Sequence, residues 1–302
     1  MIAIDVMGGD RAPLVVLQGA LAAASKGIPV QLHGPEEVIV PWLQAHAPRW
    51  QQLPISIAKA DEVIAMDEEP VFAVRKKPGS SLVKAVQSVA TGTCRAALSA
   101  GNSGALMAAS ALVIGRHTGV ERPAIAGYLP TTQGVVLALD LGANTECRPH
   151  HLVQFAHLGT AHARDAMGIA NPRIGLLSNG HEEGKGSQLG KEAFVLLKQE
   201  AGITFVGNVE PYDILEHKVD VVVCDGFAGN VMLKTLEATV DLIKRWHPSI
   251  ANDLDQQLSH KQLGGALLLG VKGTAIVCHG NSDAKTMEQA ITFAWDVSRN
   301  NK

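Results

Sequence analysis

Aromatic residues are scarce in this chain of 302 residues, at 4% of the total, and its 26 lysines and arginines are outnumbered by 29 acidic residues. The resulting net charge of −3, with no basic tail or run of arginines, excludes a general nucleic-acid binder but leaves room for a local basic patch. Cys94, Cys147, Cys224 and Cys278 lie far apart and form no CxxC pair. Spacing alone leaves disulfides open, and free buried thiols in a reducing cytoplasm are the simpler reading. The opening MIAIDVMGGD meets a charge at its fifth residue, which predicts no signal peptide. The longest apolar helix candidate, GALMAASALVIG at 104–115, is shorter than the roughly 20 residues a bilayer demands. A soluble, cytoplasmic protein is expected.

The familiar catalytic signatures are missing as well. The first strand candidate leads into Met-Gly-Gly-Asp instead of G-x-G-x-x-G, and no acidic residue follows at the usual spacing, so a dinucleotide site is not predicted. The stretch LLSNGHEEGKGSQLGKEAF (176–194) has the layout of a P-loop, but Gly180 and Gly184 bracket only three residues and Gly186 stands where a Ser or Thr for magnesium belongs. His181 and Lys185 mimic the ends of H-E-x-x-H, with a lysine replacing the second histidine on a glycine loop. No G-x-S-x-G elbow is present. The His150–His151 pair sits near a helix start and reads as helix surface, so no metal site is predicted.

What the chain does have is a regular alternation of short β-rich runs and helical patterns. It is 46% apolar, with 30 glycines spread along its length. Strand candidates are Ile2–Val6, Val30–His33, Ile55–Ala58, Ala96–Ser99, Ile125–Tyr128, Val135–Asp140, Ile174–Leu177, Thr204–Val206, Val219–Cys224 and Thr274–Cys278. Several are continuous apolar runs, as in a parallel sheet covered on both faces. The expected fold is therefore α/β, a three-layer α/β/α sandwich with a mostly parallel sheet. No repeat or Pro/Ser-rich linker divides it, so residues 1–302 read as a single catalytic domain.

In such sheets ligands bind beyond the carboxyl ends of the strands. Five predicted strand exits combine Gly with Asn, Asp or Ser: Asp5–Asp10, Ser99–Gly104, Asp140–Asn144, Ser178–Gly186 and Cys224–Asn230. Each taken alone is an ordinary turn or helix cap. Together they supply free helix N-termini and close backbone approach, which suit an anion the size of phosphate. Asn102 and Ser103 precede an apolar helix expected near Ala105, and Gly229-Asn230 repeats the arrangement before Val231. Lys185 is flanked by glycine, as a cation that touches a ligand would be; the plainer reading is a solvated lysine paired with Glu182 or Glu183.

The words IAIDVMGGDRAP, MDEEPVFAVRKKPGSSLVKA, SAGNSGALMAA, LDLGANTECRPHHLVQFA, NGHEEGKGSQLGKEAF, FVGNVE and VVCDGFAGNVMLKTLE, in this order, closely resemble the bacterial phosphate acyltransferase family of phospholipid synthesis (PlsX). The resemblance runs from about Ile2 to HGNSDAKT near the C-terminus. It implies a fold related to the phosphotransacetylase and isocitrate-dehydrogenase-like sandwiches. It also implies a homodimer, no cofactor, and transfer of a fatty acyl group from acyl carrier protein to inorganic phosphate. The acyl phosphate would feed a membrane acyltransferase acting on glycerol 3-phosphate, which places the protein in the cytoplasm and peripherally at the membrane.

That reaction needs no serine or cysteine intermediate, because orthophosphate is itself a nucleophile; positioning and charge stabilisation suffice. Asn102, Ser103 and the amides through Gly104 are expected to cradle phosphate. Lys185 is expected to neutralise it or polarise the carbonyl, and Asn230 to donate to the developing oxyanion. Asp10, Asn144, Asn179 and Asp225 are supporting candidates. The carrier is acidic, so Arg75, Lys76, Lys77, Arg116 and Arg122 are candidates for a basic rim, against the plainer reading of solvated surface.

Two departures stand out. The family's longer helical extension is replaced by a short polar segment at about 247–263, HPSIANDLDQQLSHKQ over 247–262, and Leu267 stands where the family commonly has proline. Direct membrane attachment is therefore expected to be weakened while phosphate chemistry is kept. The alternatives are a phosphotransacetylase-like enzyme using acyl-CoA, a decarboxylating dehydrogenase needing NAD(P) and a divalent metal, and a catalytically dead dimeric adaptor.

Overall fold

The structure is a computed structural model, described here over residues 1–250 and 265–300. Its strands are β1 (Ile2–Asp5), β2 (Val30–Gly34), β3 (Ile55–Lys59), β4 (Ala96–Ser99), β5 (Ala124–Thr131), β6 (Gly134–Leu139), β7 (Arg173–Leu177), β8 (Thr204–Val209), β9 (Val221–Val223), β10 (Ala266–Leu269) and β11 (Thr274–Val277). Its helices are α1 (Leu14–Ser25), α2 (Glu36–His46), α3 (Pro70–Lys76), α4 (Ser81–Ala90), α5 (Ser103–Ala109), α6 (Pro149–Met167), α7 (Gln188–Gln199), α8 (Pro211–Leu215), α9 (Gly226–Trp246) and α10 (Ala284–Asn300). Contacts divide the chain into two compact units, one made of Met1–Gly119 with Leu263–Lys302 and the other of Val120–Gln262. The shortened segment at 247–263 lies outside the described residues from position 251 onward.

In the first unit β3, β2, β1, β4 and β11 run parallel in that order, and β10 lies antiparallel beside β11. Alternate side chains on a strand point to opposite faces. Ile2 and Ile4 of β1 accordingly join Leu32 and Leu98 against Leu17 and Ala20 of α1 and Met287 and Ile291 of α10. Ala3 and Ala97 face the other way, toward Leu82 and Val86 of α4 and Ala105 and Leu106 of α5. This unit is thus a three-layer α/β/α sandwich, and its strands read as unbroken apolar runs because both faces are covered.

The second unit has β6, β9, β7 and β8 parallel in that order, with β5 antiparallel to β6. Helix α6 lies over β6 and β9 through its buried Leu152, Phe155 and Ala156. Helix α7 buries Ala193, Phe194 and Leu197 on the β7–β8 side, where the Phe194 and Phe205 rings meet edge to face at 5.2 Å.

Three expectations are corrected. Strand β10 was not predicted; its Leu267, at the position where the family commonly has proline, is buried opposite Ile276. Helix α5 begins at Ser103, not near Ala105, because the Asn102 side chain accepts the Ala105 N–H, and it runs on into a π-helical turn at Ser110–Ile114. Helix α9 begins at Gly226, five residues before Val231, because Asp225 caps it. The α9 residues Met232, Leu236, Val240 and Ile243, which recur at helical spacing, form its partly buried face, while Phe227, Val231, Leu242 and Trp246 are exposed.

Phe155 is fully buried and Phe227 is 65% exposed. Replacing Phe155 with alanine should cost about 3–5 kcal/mol through lost transfer free energy plus a cavity. Phe227→Ala should change stability by no more than about 0.5 kcal/mol. Urea denaturation midpoints of the two variants measure the contrast.

Candidate active site

In the first unit three neighbouring parallel strands, β1, β4 and β11, end on one edge and send out loops rich in Gly, Asn, Ser and Asp. Asp5 closes β1 with a buried carboxyl that accepts from Ser99 Oγ at 2.7 Å and from the Met7 N–H at 3.3 Å. Burial pushes this carboxyl above the ordinary range, against hydrogen bonds from Ser81, Ser99 and Met7. Ser99 Oγ in turn accepts the Gly101 N–H at 3.0 Å, which fixes the start of the β4 loop. The β11 loop, His279–Asp283, was not counted among the predicted strand exits, although its composition matches theirs. Asp10 N–H donates to Gly280 O at 2.8 Å, and Arg11 donates to Asn281 O.

Asn102 does not offer its side chain to a ligand. Its Oδ1 accepts the Ala105 N–H at 3.0 Å, and its Nδ2 lies 3.3, 3.2 and 2.9 Å from the carbonyls of Ala65, Met66 and Glu68. It caps α5 and clamps the 65–68 loop. What remains for an anion are the N–H groups of Ser103 and Gly104, which have no acceptor within the helix, and the exposed Ser103 hydroxyl. The Asp10 carboxylate is exposed and accepts no hydrogen bond among the described residues.

In the second unit the loops after β6, β9 and β7 emerge side by side. Asp140, fully buried, folds the first of them. Its Oδ1 accepts from the N–H groups of Ile125 (2.9 Å), Gly142 (3.3 Å) and Ala143 (3.0 Å), and its Oδ2 from Asn144 N (2.6 Å) and Asn144 Nδ2 (2.9 Å). Burial raises this carboxyl too, against those bonds. Asn144 also donates to Pro123 O at 2.8 Å.

The first turn of α9 rests directly on this loop. Gly226 N–H donates to Asn144 O at 2.8 Å, and a Cβ on Gly229 would stand 2.0 Å from Asp140 O. Asn230, one residue on, donates from Nδ2 to Leu141 O at 3.0 Å. Asp225 is the helix cap, its Oδ1 accepting from Phe227 N and Ala228 N at 3.0 Å each. The structure therefore brings Asn144, Asp225 and Asn230 together around Asp140. Gly226 and Gly229, read from sequence as an anion nest, serve close helix packing.

Asn179 and Lys185 sit on the adjoining β7 loop. Asn179 Oδ1 accepts the Gly186 N–H at 2.9 Å and closes the loop, while Lys185 N–H donates to Glu182 O at 3.0 Å. A Cβ on Gly180 would lie 2.9 Å from Lys185 Cγ, so the bare glycine is what lets the lysine stem fold back over the loop. Glu183 pairs with Lys198, and the exposed Lys185 ammonium forms no ion pair among the described residues. The plainer reading of Lys185, a pairing with Glu182 or Glu183, finds no ion pair among the described residues.

The basic candidates divide. Lys77 is committed to Glu68 and, at 2.8 Å, to Val63 O. Arg75 and Lys76 remain exposed on the last turn of α3, with Lys76 5.5 Å from the Phe72 ring and Val71 and Phe72 exposed beside them. Arg116 is exposed, and Arg122 donates to Glu146 O at 3.3 Å.

No thiol is poised as a nucleophile: burial pushes all four upward, Cys147 to about 11. His150 and His151 converge with Glu121, both Nε2 atoms lying 3.0 and 3.3 Å from the same Oε2. His151 Nδ1 accepts the Arg148 N–H at 3.0 Å, which puts its proton on Nε2, facing Glu121. A protonated nitrogen has no lone pair for a metal ion, so His151 here serves the first turn of α6.

The whole chain, residues 1–302, matches a family model described as a fatty acid synthesis protein. It is 42% identical to the phosphate acyltransferase of Desulforudis audaxviator, over 99% of this chain and 93% of that one. It is 44% identical to the phosphate acyltransferase of Trichlorobacter lovleyi, over 98% and 90% respectively. A branched-chain phosphotransacylase from Enterococcus faecalis has a similar fold, with a TM-score of 0.64 at 15% identity over 98% of each chain.

The β7 loop is also held by a buried carboxylate, and this gives acid stability a definite sign. Burial would raise Asp213, but Lys218, the Glu210 N–H and His181 together hold it down at about 2. The unfolded value is about 3.9, so the stabilisation is complete above roughly pH 5 and is lost as pH falls through about 2. Asp213→Asn should lower stability at neutral pH by on the order of 1–2 kcal/mol and flatten the decline between about pH 5 and pH 2. Denaturant midpoints across that range read both effects.

Proposed function

We propose roles for residues of each unit from this premise: the chain belongs to the phosphate acyltransferase family, and its reaction is acyl transfer to phosphate, giving acyl phosphate. The donor in this reading is a fatty acyl thioester of acyl carrier protein. A phosphate oxygen attacks the thioester carbonyl carbon, the C–O bond forms as the C–S bond breaks, and the thiolate leaves and takes up a proton.

The observation that carries the reading is Lys185, an exposed ammonium without an internal ion pair among the described residues, on a strand-exit loop. Such a cation can meet phosphate or polarise the carbonyl with no existing pair to break. Asn230 has one amide hydrogen engaged by Leu141 O and a second left for the developing oxyanion. In the first unit, taken by itself, the N–H groups of Ser103 and Gly104 are donors suited to an anion, in place of the Asn102 side chain. Asp140, Asn144, Asn179 and Asp225 hold the loops in shape. No nucleophilic side chain is required, in keeping with the raised thiols.

Arg75 and Lys76, beside exposed Val71 and Phe72, combine charge with apolar surface, which suits an acidic carrier whose cargo is a lipid chain. Lys77 has little part in this rim, since it is held by Glu68. Assembly as a homodimer and delivery of the product to a membrane glycerol-3-phosphate acyltransferase complete the reading on the strength of family likeness. No described helix is long and apolar enough to cross a membrane.

Incubation with phosphate and either acyl carrier thioester or acyl-CoA, followed by hydroxylamine trapping of acyl phosphate, tests the donor. Product from the carrier thioester is expected; product from acyl-CoA alone would identify a phosphotransacetylase-like enzyme instead. Lys185→Ala should lower turnover about 10²- to 10³-fold with an unchanged melting temperature, as for loss of one charge-stabilising group. Near-normal turnover would remove Lys185 from the mechanism.

A further inference from the structure

His181 has no part in the chemistry above, yet it opens the loop that carries Lys185. Its Nε2 lies 2.6 Å from Asp213 Oδ2. A carboxylate only accepts, so the imidazole donates from Nε2. Asp213 is a fixed anchor: its side chain is 5% exposed, Oδ2 also accepts the Glu210 N–H at 2.9 Å, and Oδ1 accepts Lys218 Nζ at 2.7 Å. One residue along, Asn208 Nδ2 donates to Glu182 O at 2.8 Å, and that same carbonyl accepts the Lys185 N–H. The His181 ring itself is 63% exposed, so it fills no core space that packing would need.

We propose that His181 is a positioning residue for Lys185: its hydrogen bond to Asp213 ties the glycine loop to the β8–α8 segment and so fixes where the ammonium stands. A loop with glycines at 180, 184 and 186 has little stiffness of its own. Asn179 closes the loop on itself, while among the described residues the His181 and Glu182 contacts and the Ser178 N–H to Val209 O bond at 2.9 Å, together with the strand pairing of β7, relate it to the neighbouring β8 segment. The lysine stem passes over Gly180, next to His181, so a shift at 181 is passed directly to the stem. Displacement of a reacting group by about 1 Å can cost up to 10²-fold in rate, which makes so small a tether consequential.

This inference rests on Lys185 being the site's cation, and the test separates the two. Gln places its amide nitrogen near the position of imidazole Nε2, whereas Asn places it near Nδ1, short of Asp213. His181→Ala and His181→Asn should lower kcat/KM for phosphate by roughly tenfold or more, and His181→Gln should stay within about threefold of the unsubstituted enzyme. His181→Gln should keep the melting temperature, and the Ala and Asn variants should lose no more than a few degrees, because the ring fills no core space and Lys218 and the Glu210 N–H still hold Asp213. In a Lys185→Ala background, His181→Ala should have no further effect.

His181→Ala within twofold of normal, equal losses for Gln and Asn, or a full additional loss on top of Lys185→Ala would each overturn the tether while leaving Lys185 in place. Normal activity of Lys185→Ala alone would instead remove the lysine, and the tether's purpose with it.

Discussion

A carboxylate without water is costly to bury, and the second unit is organised around one that has been made acceptable. Asp140 accepts five hydrogen bonds, four from backbone N–H groups and one from Asn144 Nδ2. Bonds to a charged group are worth roughly 1.5–3 kcal/mol each, and together they offset much, though not all, of a desolvation cost that still raises the carboxyl. The consequence is structural before it is energetic. Only one path of the Leu141–Asn144 backbone delivers those donors, and that path forms the floor on which the first turn of α9 stands. Gly226 and Gly229 then bring the helix close enough for Asn230 to reach Leu141 O. Asp5 plays a corresponding part at the end of β1, through Ser99 and the Gly101 N–H.

The chemistry asked of such a scaffold is modest. In the proposed reaction phosphate is the nucleophile, the thioester is already activated, and the protein has to hold donors still where charge develops. Buried, upward-shifted thiols and a histidine pair facing a carboxylate add nothing to that task. The fold itself does not choose the thioester donor, since similar folds host several acyl and phosphate chemistries. In the proposed reading the choice falls to side chains such as Arg75, Lys76 and the neighbouring Phe72.

Much of this was legible in sequence, for identifiable reasons. Strands such as Ile2–Asp5 and Ala96–Ser99 stood out because burial on both faces leaves an uninterrupted apolar run. The strand exits stood out because each ends in a polar residue that the ensuing loop needs. Strand β10 was missed because Ala-Leu-Leu-Leu lacks β-branched residues and carries no periodicity of its own; it is a strand because β11 pairs with it. The start of α9 was missed because two glycines in the first turn look like loop, when their role is to admit the Asp140 backbone. Asn102 was assigned to the ligand because Asn suits anion binding and helix capping alike, and only the position of residues 65–68 decides between them. The tether from His181 to Asp213 spans 32 positions and could not be read from local pattern at all.

Several of the carboxylates at these strand ends, though not Asp10 or Glu182, share one further property. Asp5 and Asp140 point into N–H and O–H donors, Asp225 faces the amides of its own helix, Asp213 is covered by Lys218 and His181, and Glu183 is matched by Lys198. Their negative potential is therefore largely cancelled before it reaches the loop surfaces. In a protein of net charge −3, the Asp213 and Glu183 side chains around the β7 loop are thus taken up by internal donors and by Lys198, which leaves the Lys185 ammonium without a neutralising ion pair among the described residues.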